Sequence, residues 1–216
     1  MYTLCYIIYT YNSFSLGIET LYLCNNVNYP DKIKKNKLVH FIGNILHFCS
    51  TSNPIDWLFF EKNNLNDLDF HYIVDYGLRR RLMVSSLQMM SFSGNDNISD
   101  KFMPLLLEVI QTQCPKLEWL KLSQTKISDK FCEYLKNFFS ENHSKTKLHF
   151  IYIDKNKRIT NKGISILSDM IQKQFIPKVY SPLFRIFCDN CGFRTRLKNW
   201  DDRIITSPND WEDRGF

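Results

Sequence analysis

Residues 117–125 read LEWLKLSQT, and 126–129 continue with KISD. The pattern returns at 87–95 (LQMMSFSGN, then DNISD to residue 100) and at 148–156 (LHFIYIDKN, then KRITN to residue 161). Each block runs apolar-x-x-apolar-x-apolar-x-x-Asn or Thr. The apolar residues at positions 4 and 6 alternate with variable ones, and a period of two is strand chemistry. Working outward, the same register fits residues 55–63 (IDWLFFEKN), 18–26 (IETLYLCNN) and 183–191 (LFRIFCDNC). The starts at 18, 55, 87, 117, 148 and 183 lie roughly 30 to 37 residues apart, a spacing that marks stacked repeats.

Position 9 is Asn26, Asn63, Asn95 and Asn156, with Thr125 and Cys191 in the other two blocks. A side-chain amide here is expected to bond backbone groups of neighbouring turns. A cap signal follows: Leu65-Asn66-Asp67, Ile98-Ser99-Asp100, Ile127-Ser128-Asp129 and Ile159-Thr160-Asn161. Ser, Thr and Asn cap helices by accepting a free N–H of the first turn. An Asp just inside the start suits the positive end of the helix dipole. Helical spacing then predicts buried faces through Leu105, Val109 and Ile110, through Phe131, Leu135, Phe138 and Phe139, and through Ile164, Leu167 and Ile171. Each unit is strand, turn, helix. None can bury its own apolar face, so neighbours must stack.

Over roughly residues 18–175 the chain resembles the leucine-rich repeat family. The ISD/ITN step with a long following helix is similar to the ribonuclease-inhibitor-like subtype and the cysteine-containing repeats of F-box-type proteins. The resemblance implies an α/β leucine-rich-repeat solenoid, with a curved parallel sheet on the concave side and helices on the convex side. Residues 18–191 are expected to form about five to six repeats. Residues 1–17 are read as an N-terminal cap or partial repeat, and 192–216 as a C-terminal cap or tail.

The chain has 216 residues, 44% hydrophobic and 23% charged, which is globular and long enough for a sizeable core. The net charge is +6. Cysteines at 5, 24, 49, 114, 132, 188 and 191 form no disulfide framework, so reduced thiols and an intracellular setting are expected, cytoplasmic or organellar, mitochondria included. The first thirty residues hold Glu19 and no Lys or Arg, unlike a secretory signal or a transit peptide. No apolar run approaches the ~20 residues of a membrane span. A longer insertion occupies 27–37, and helices are expected over 38–49 and 68–84.

Few constellations suggest chemistry. Cys188-Asp189-Asn190-Cys191 is half of a thiolate zinc site, but no second CxxC accompanies it and no His lies downstream. The repeat explains both cysteines, at inward positions 6 and 9. The histidines at 40, 47, 71, 143 and 149 are scattered, and no Gly-rich phosphate loop, GxSxG or HExxH occurs. No catalytic residue, metal, cofactor or small-molecule substrate is expected. The basic runs 32–37 and 79–81 lie near acidic residues and carry no nucleic-acid motif, so solvated faces are the expectation and nucleic acid is not an expected partner.

The feature that points to a role is the strand face turned away from the helices, at positions 3, 5 and 7. It carries Tyr22, Trp57, Phe59, Met89, Trp119, Lys121, Phe150, Tyr152, Arg185 and Phe187. Aromatics and Arg dominate interface hot spots. The expectation is a non-enzymatic binding or scaffold subunit that docks another protein, or a multi-subunit complex, through this face. The alternative is that a terminal segment covers the rings within the chain. The resemblance also brings a ubiquitin-ligase substrate receptor and a GTPase regulator like the Ran-activating repeat proteins. A looser similarity to ATP synthase coupling factor B-like proteins brings an accessory or assembly subunit of a mitochondrial membrane complex.

Overall fold

A computed structural model describes residues 20–22, 39–40, 55–79, 85–142, 146–172, 184–193 and 201–206. Outside it lie residues 1–17, the 32–37 run, most of the 38–49 helix, Arg80, Arg81 and most of the 192–216 tail. The chain is α/β. Seven parallel strands form one sheet in sequence order: β1 (Thr20–Tyr22), β2 (Trp57–Phe59), β3 (Met89–Ser91), β4 (Trp119–Lys121), β5 (Phe150–Tyr152), β6 (Arg185–Phe187) and β7 (Ile204–Ile205). Thr20, Trp57, Met89, Trp119, Phe150 and Arg185 pair in succession across β1 to β6. All are position 3 of their blocks, so the register in which the sequence blocks align is the hydrogen-bond register of the sheet.

The described helices are α1 (Asp67–Tyr72), α2 (Met103–Gln113), α3 (Asp129–Asn142) and α4 (Asn161–Gln172). Asn66 caps α1 in a reciprocal capping box with Asp69. Ser99 caps a 3₁₀ turn, Asp100–Phe102, that leads into α2. The helix expected over 68–84 turns π-helical at Ile73–Leu78, and the Arg79 N–H reaches back to the Val74 carbonyl at 2.9 Å. The block starting at 55 is slightly longer than the two that follow, and a π turn absorbs an extra residue without ending the helix. In α2 the buried residues are Met103, Leu106, Leu107, Val109 and Ile110, while Leu105 is only partly buried. The 3₁₀ turn sets where α2 begins, and so its phase.

One core cluster joins the strand centres to the helices. Leu58, Met90, Leu120, Ile151 and Ile186 at position 4 are buried, as are Phe60, Phe92, Leu122, Ile153 and Cys188 at position 6. Leu65, Ile98, Ile127 and Ile159, just before the caps, are fully buried too. Position 8 is left-handed in the five described blocks: Lys62, Gly94, Gln124, Lys155 and Asn190 have φ of 55, 75, 54, 61 and 53°. This repeated turn carries the chain from each strand towards position 9.

Asn95 and Asn156 at position 9 do what their place in the sequence suggested, while Asn26 lies outside the described residues. Asn95 Oδ1 accepts from the N–H groups of Asn63 and Leu65, and its Nδ2 donates to the carbonyls of Phe60 and Phe92. Asn156 repeats this one unit on, accepting from Thr125 N–H and donating to Leu122 and Ile153. A second ladder was not foreseen. Asp67 accepts from the N–H and hydroxyl of Ser99, Asp100 from those of Ser128, and Asp129 from those of Thr160. Each first-turn carboxylate thus ties its helix to the cap of the next unit. Asp129 also takes the Gly163 N–H at 3.0 Å, and a Cβ on Gly163 would lie 2.4 Å from that oxygen. Close approach explains a glycine near the start of α4, where it otherwise weakens a helix.

The sheet continues past residue 191. Ile204 and Ile205 pair with Ile186 and Phe187, and both are buried. Arg203 holds Asp201 through Nε and Nη2, each at 2.9 Å, and Nη2 reaches the Ile171 carbonyl at the end of α4. No described helix is long and apolar enough to cross a membrane.

Within α4, Ser168 is 2% exposed, and its buried hydroxyl has no hydrogen-bond partner among the described residues. An unmade bond on a buried hydroxyl is destabilising. Ser168→Ala is therefore expected to raise stability by roughly 1 kcal/mol in urea unfolding. A loss of stability would show that the hydroxyl has a partner.

Candidate functional site

Strand geometry sends positions 3, 5 and 7 to the sheet face opposite the helices. Trp57 is 44% exposed there, and among the described residues only Leu68 and Tyr76 are other large exposed hydrophobics. Met89, Trp119, Lys121, Phe150, Tyr152 and Arg185 are half-buried. Phe59 and Phe187 differ from the expectation of accessible anchors, being only 7% and 4% exposed. Phe187 sits between Tyr152, whose ring centroid is 4.2 Å away, and the paired Ile205 of β7. Tyr22 lies in β1 opposite Phe59, and its side chain is outside the described residues.

The rings of β4 to β6 are stacked. Trp119 and Phe150 lie 4.1 Å apart with planes at 22°, and Tyr152 and Phe187 lie 4.2 Å apart at 16°. Trp119 also faces Tyr152 at 6.3 Å. Neighbouring strands sit about 4.8 Å apart, so in-register aromatics must stack side by side. Lys121 Nζ stands 5.2 Å from the Tyr152 ring centre. Burial, aided by Asp154, pushes the Tyr152 hydroxyl up to about 12. It is a neutral hydroxyl at ordinary pH. Trp57, two strands away, takes no part in this stack.

At the carboxyl ends of the strands the face becomes polar. The Ser91 hydroxyl donates to Glu61 at 2.5 Å, and the Ser123 hydroxyl donates to Asp154 at 3.0 Å. Asp154 also accepts the Asp189 N–H at 2.9 Å. Burial raises the Asp154 carboxyl above its ordinary range, against the pull of those bonds. An open cavity of about 340 Å³ lies among these groups, with Tyr152, Phe187 and Ile205 as its apolar wall. Glu61 and Asp154 already accept hydroxyl protons.

The remaining candidates resolve into packing and pairing. Cys188 and Cys191 are free and buried, and the Cys191 thiol donates to the Ile153 carbonyl at 3.2 Å. Burial lifts Cys191 to about 12 and Cys188 well above its ordinary value, which keeps both thiols neutral. Among the described residues, no three His, Cys, Asp or Glu side chains gather where a metal could sit. His40 Nδ1 lies 3.0 Å from the Tyr72 hydroxyl, and the His71 ring packs 4.4 Å from Phe102. His149 lies beside Phe150, and His47 and His143 are outside the described residues. Arg79, the described member of its basic run, pairs with Asp75 and Glu108. No protein-family model matches the chain, and no curated protein matches it.

Proposed function

We propose that the chain is a leucine-rich-repeat solenoid acting as a non-enzymatic binding subunit, docking a protein through the strand face around Trp57. The sequence-ordered parallel sheet, with position 3 in register across six strands and an Asn ladder beneath it, supports the repeat assignment. The observation that carries the docking reading is Trp57: a tryptophan on β2, the second strand of the sheet, 44% exposed, beside the half-buried Met89. Tryptophan is enriched among interface hot spots, and a rigid sheet lowers the ordering cost of binding. Free, buried thiols at Cys114, Cys132, Cys188 and Cys191 favour an intracellular setting.

The stacked rings of β4 to β6 serve the same surface as a stiff floor, because their faces are largely taken up by one another. Trp57→Ala is expected to leave the fold intact and to weaken partner binding by about 2 kcal/mol or more, roughly thirtyfold in affinity. Affinity purification with crosslinking mass spectrometry from native cells, comparing wild type with Trp57→Ala, checks this. Crosslinks from a partner onto β2 to β5 that disappear in the variant support the reading. A partner set unchanged in the variant, or crosslinked only to the helices, overturns it.

A further inference from the structure

We propose that the last unit is a redox-sensitive latch: β6 and β7 come off the sheet ahead of the rest of the fold, and in that open form a small-molecule disulfide joins Cys188 to Cys191. The observation behind it is a weak rung in the ladder at position 9. Asn95 makes three hydrogen bonds to the preceding unit, from Asn63 and Leu65 N–H and to the Phe60 carbonyl. Asn156 also makes three, from the Thr125 N–H and hydroxyl and to the Leu122 carbonyl. Cys191 donates one, to the Ile153 carbonyl at 3.2 Å, and turns its sulfur to the Asn156 N–H. A thiol is a weak donor and a weak acceptor.

The carboxylate ladder has no fourth aspartate, because Asn161 stands where Asp67, Asp100 and Asp129 stand in the units before. Beyond β6 the described sheet adds only the two-residue β7. In a stack where each unit leans on its neighbours, an end unit held this way opens first.

Closed, both thiols are sheltered: Cys188 is fully buried, Cys191 is 8% exposed, and burial keeps both neutral. Opening frees Cys188-Asp189-Asn190-Cys191 as a short segment whose thiols can meet. One thiolate attacks glutathione disulfide, releasing one glutathione and leaving a mixed disulfide. The second thiolate displaces the other glutathione from it. Two thiols are oxidised to one S–S bond, and glutathione disulfide is reduced to two glutathiones. The product has no S–H to offer Ile153, which disfavours reclosure and keeps Phe187 from the Tyr152 ring it stacks on. Cys132 of α3 is a neighbouring thiol but stays with the folded units. Disulfides inside cells are usually transient ones of this sort.

The test alkylates the full native chain with N-ethylmaleimide, quantifying each cysteine by peptide mass spectrometry, and oxidises a second sample with glutathione disulfide. Cys188 and Cys191 are expected to be alkylated about a hundredfold faster than Cys114 and Cys132, with a weaker dependence on urea. Oxidation should leave the tryptic peptide 186–194 lighter by two hydrogens, with Cys114 and Cys132 still reduced. Cys191→Asn puts the ladder residue back and is expected to slow alkylation of Cys188 about tenfold, whereas Cys191→Ala should not slow it. If circular dichroism shows Cys191→Asn unfolded, the wild-type rates and the oxidised peptide decide. Equal rates at all four cysteines, a Cys188 rate that folded Cys191→Asn leaves unchanged, a glutathione adduct without an internal disulfide, or a disulfide to Cys132 overturns the proposal. None of these readouts involves a docked partner, so the latch is tested apart from the Trp57 face.

Discussion

Asn95→Ala is expected to destabilise the protein by about 4 kcal/mol, a large share of the roughly 5–15 kcal/mol that holds a domain folded. The side chain is fully buried and makes four hydrogen bonds to backbone, bridging the 55 and 87 blocks. Alanine leaves two N–H and two C=O groups without that partner. Each orphaned buried group costs about 1–3 kcal/mol, and partial relaxation keeps the total below the simple sum. Thr125→Ala is the internal comparison. Its hydroxyl donates to Leu122 and lies 2.9 Å from Asn156 Oδ1, which keeps its other bonds, so a loss of about 1 kcal/mol is expected there. Urea unfolding of both variants checks the pair. A loss below about 1 kcal/mol for Asn95→Ala would mean that stacking of the units does not depend on the ladder.

The size of that effect follows from how repeats are built. No unit here buries its own apolar face, so whatever fixes the distance between neighbours acts on the whole core. Asn95 and Asn156 fix it under the strands, and Asp67, Asp100 and Asp129 fix it at the helix starts. The two ladders lie on either side of Ile98, Ile127 and Ile159, which are fully buried.

The strands and the Asn ladder were legible in the sequence because both depend on short-range order. Alternation at positions 4 and 6 marks a strand wherever it falls, and a lone polar residue at a fixed offset must satisfy backbone. The Asp ladder was only half legible. Its residues stand out as helix-start signals, but their second role reaches about 30 residues along the chain, which local pattern does not show. Strand β7 was missed for another reason. Two isoleucines after Asp201, Asp202 and Arg203 look like part of a polar tail, and the Arg203–Asp201 pair that makes them a strand is itself the polar signal. For the candidate site, the alternation in the sequence put these side chains on one face of the sheet, while their exposure depended on neighbours. Phe59 and Trp57 are indistinguishable by pattern, yet one is buried and the other open.

Gly192→Ala is expected to cost about 2–3 kcal/mol, and to cost it locally. Gly192 follows the last ladder position, Cys191, and its N–H donates to the Ile159 carbonyl at 2.8 Å. A Cβ there would lie 2.0 Å from the Lys157 carbonyl oxygen and 2.9 Å from its carbon. Both are backbone atoms, so no rotamer change relieves the contact. The 188–193 segment could retreat only by giving up the Cys188 N–H bond to Ile205 and the Cys191 thiol bond to Ile153. Those bonds hold β6 and β7 to the preceding units. The strain should therefore appear as opening of the sheet's last two strands before the rest. Native-state hydrogen exchange checks it: the amides of Ile186 and Cys188 should lose protection in the variant while those of Leu120 and Leu122 keep theirs. Uniform loss across all four would mean that the units unfold as one. No loss at all would mean that the Lys157 loop yields to the methyl group, and that the close approach at Gly192 is not what joins β6 to the sheet.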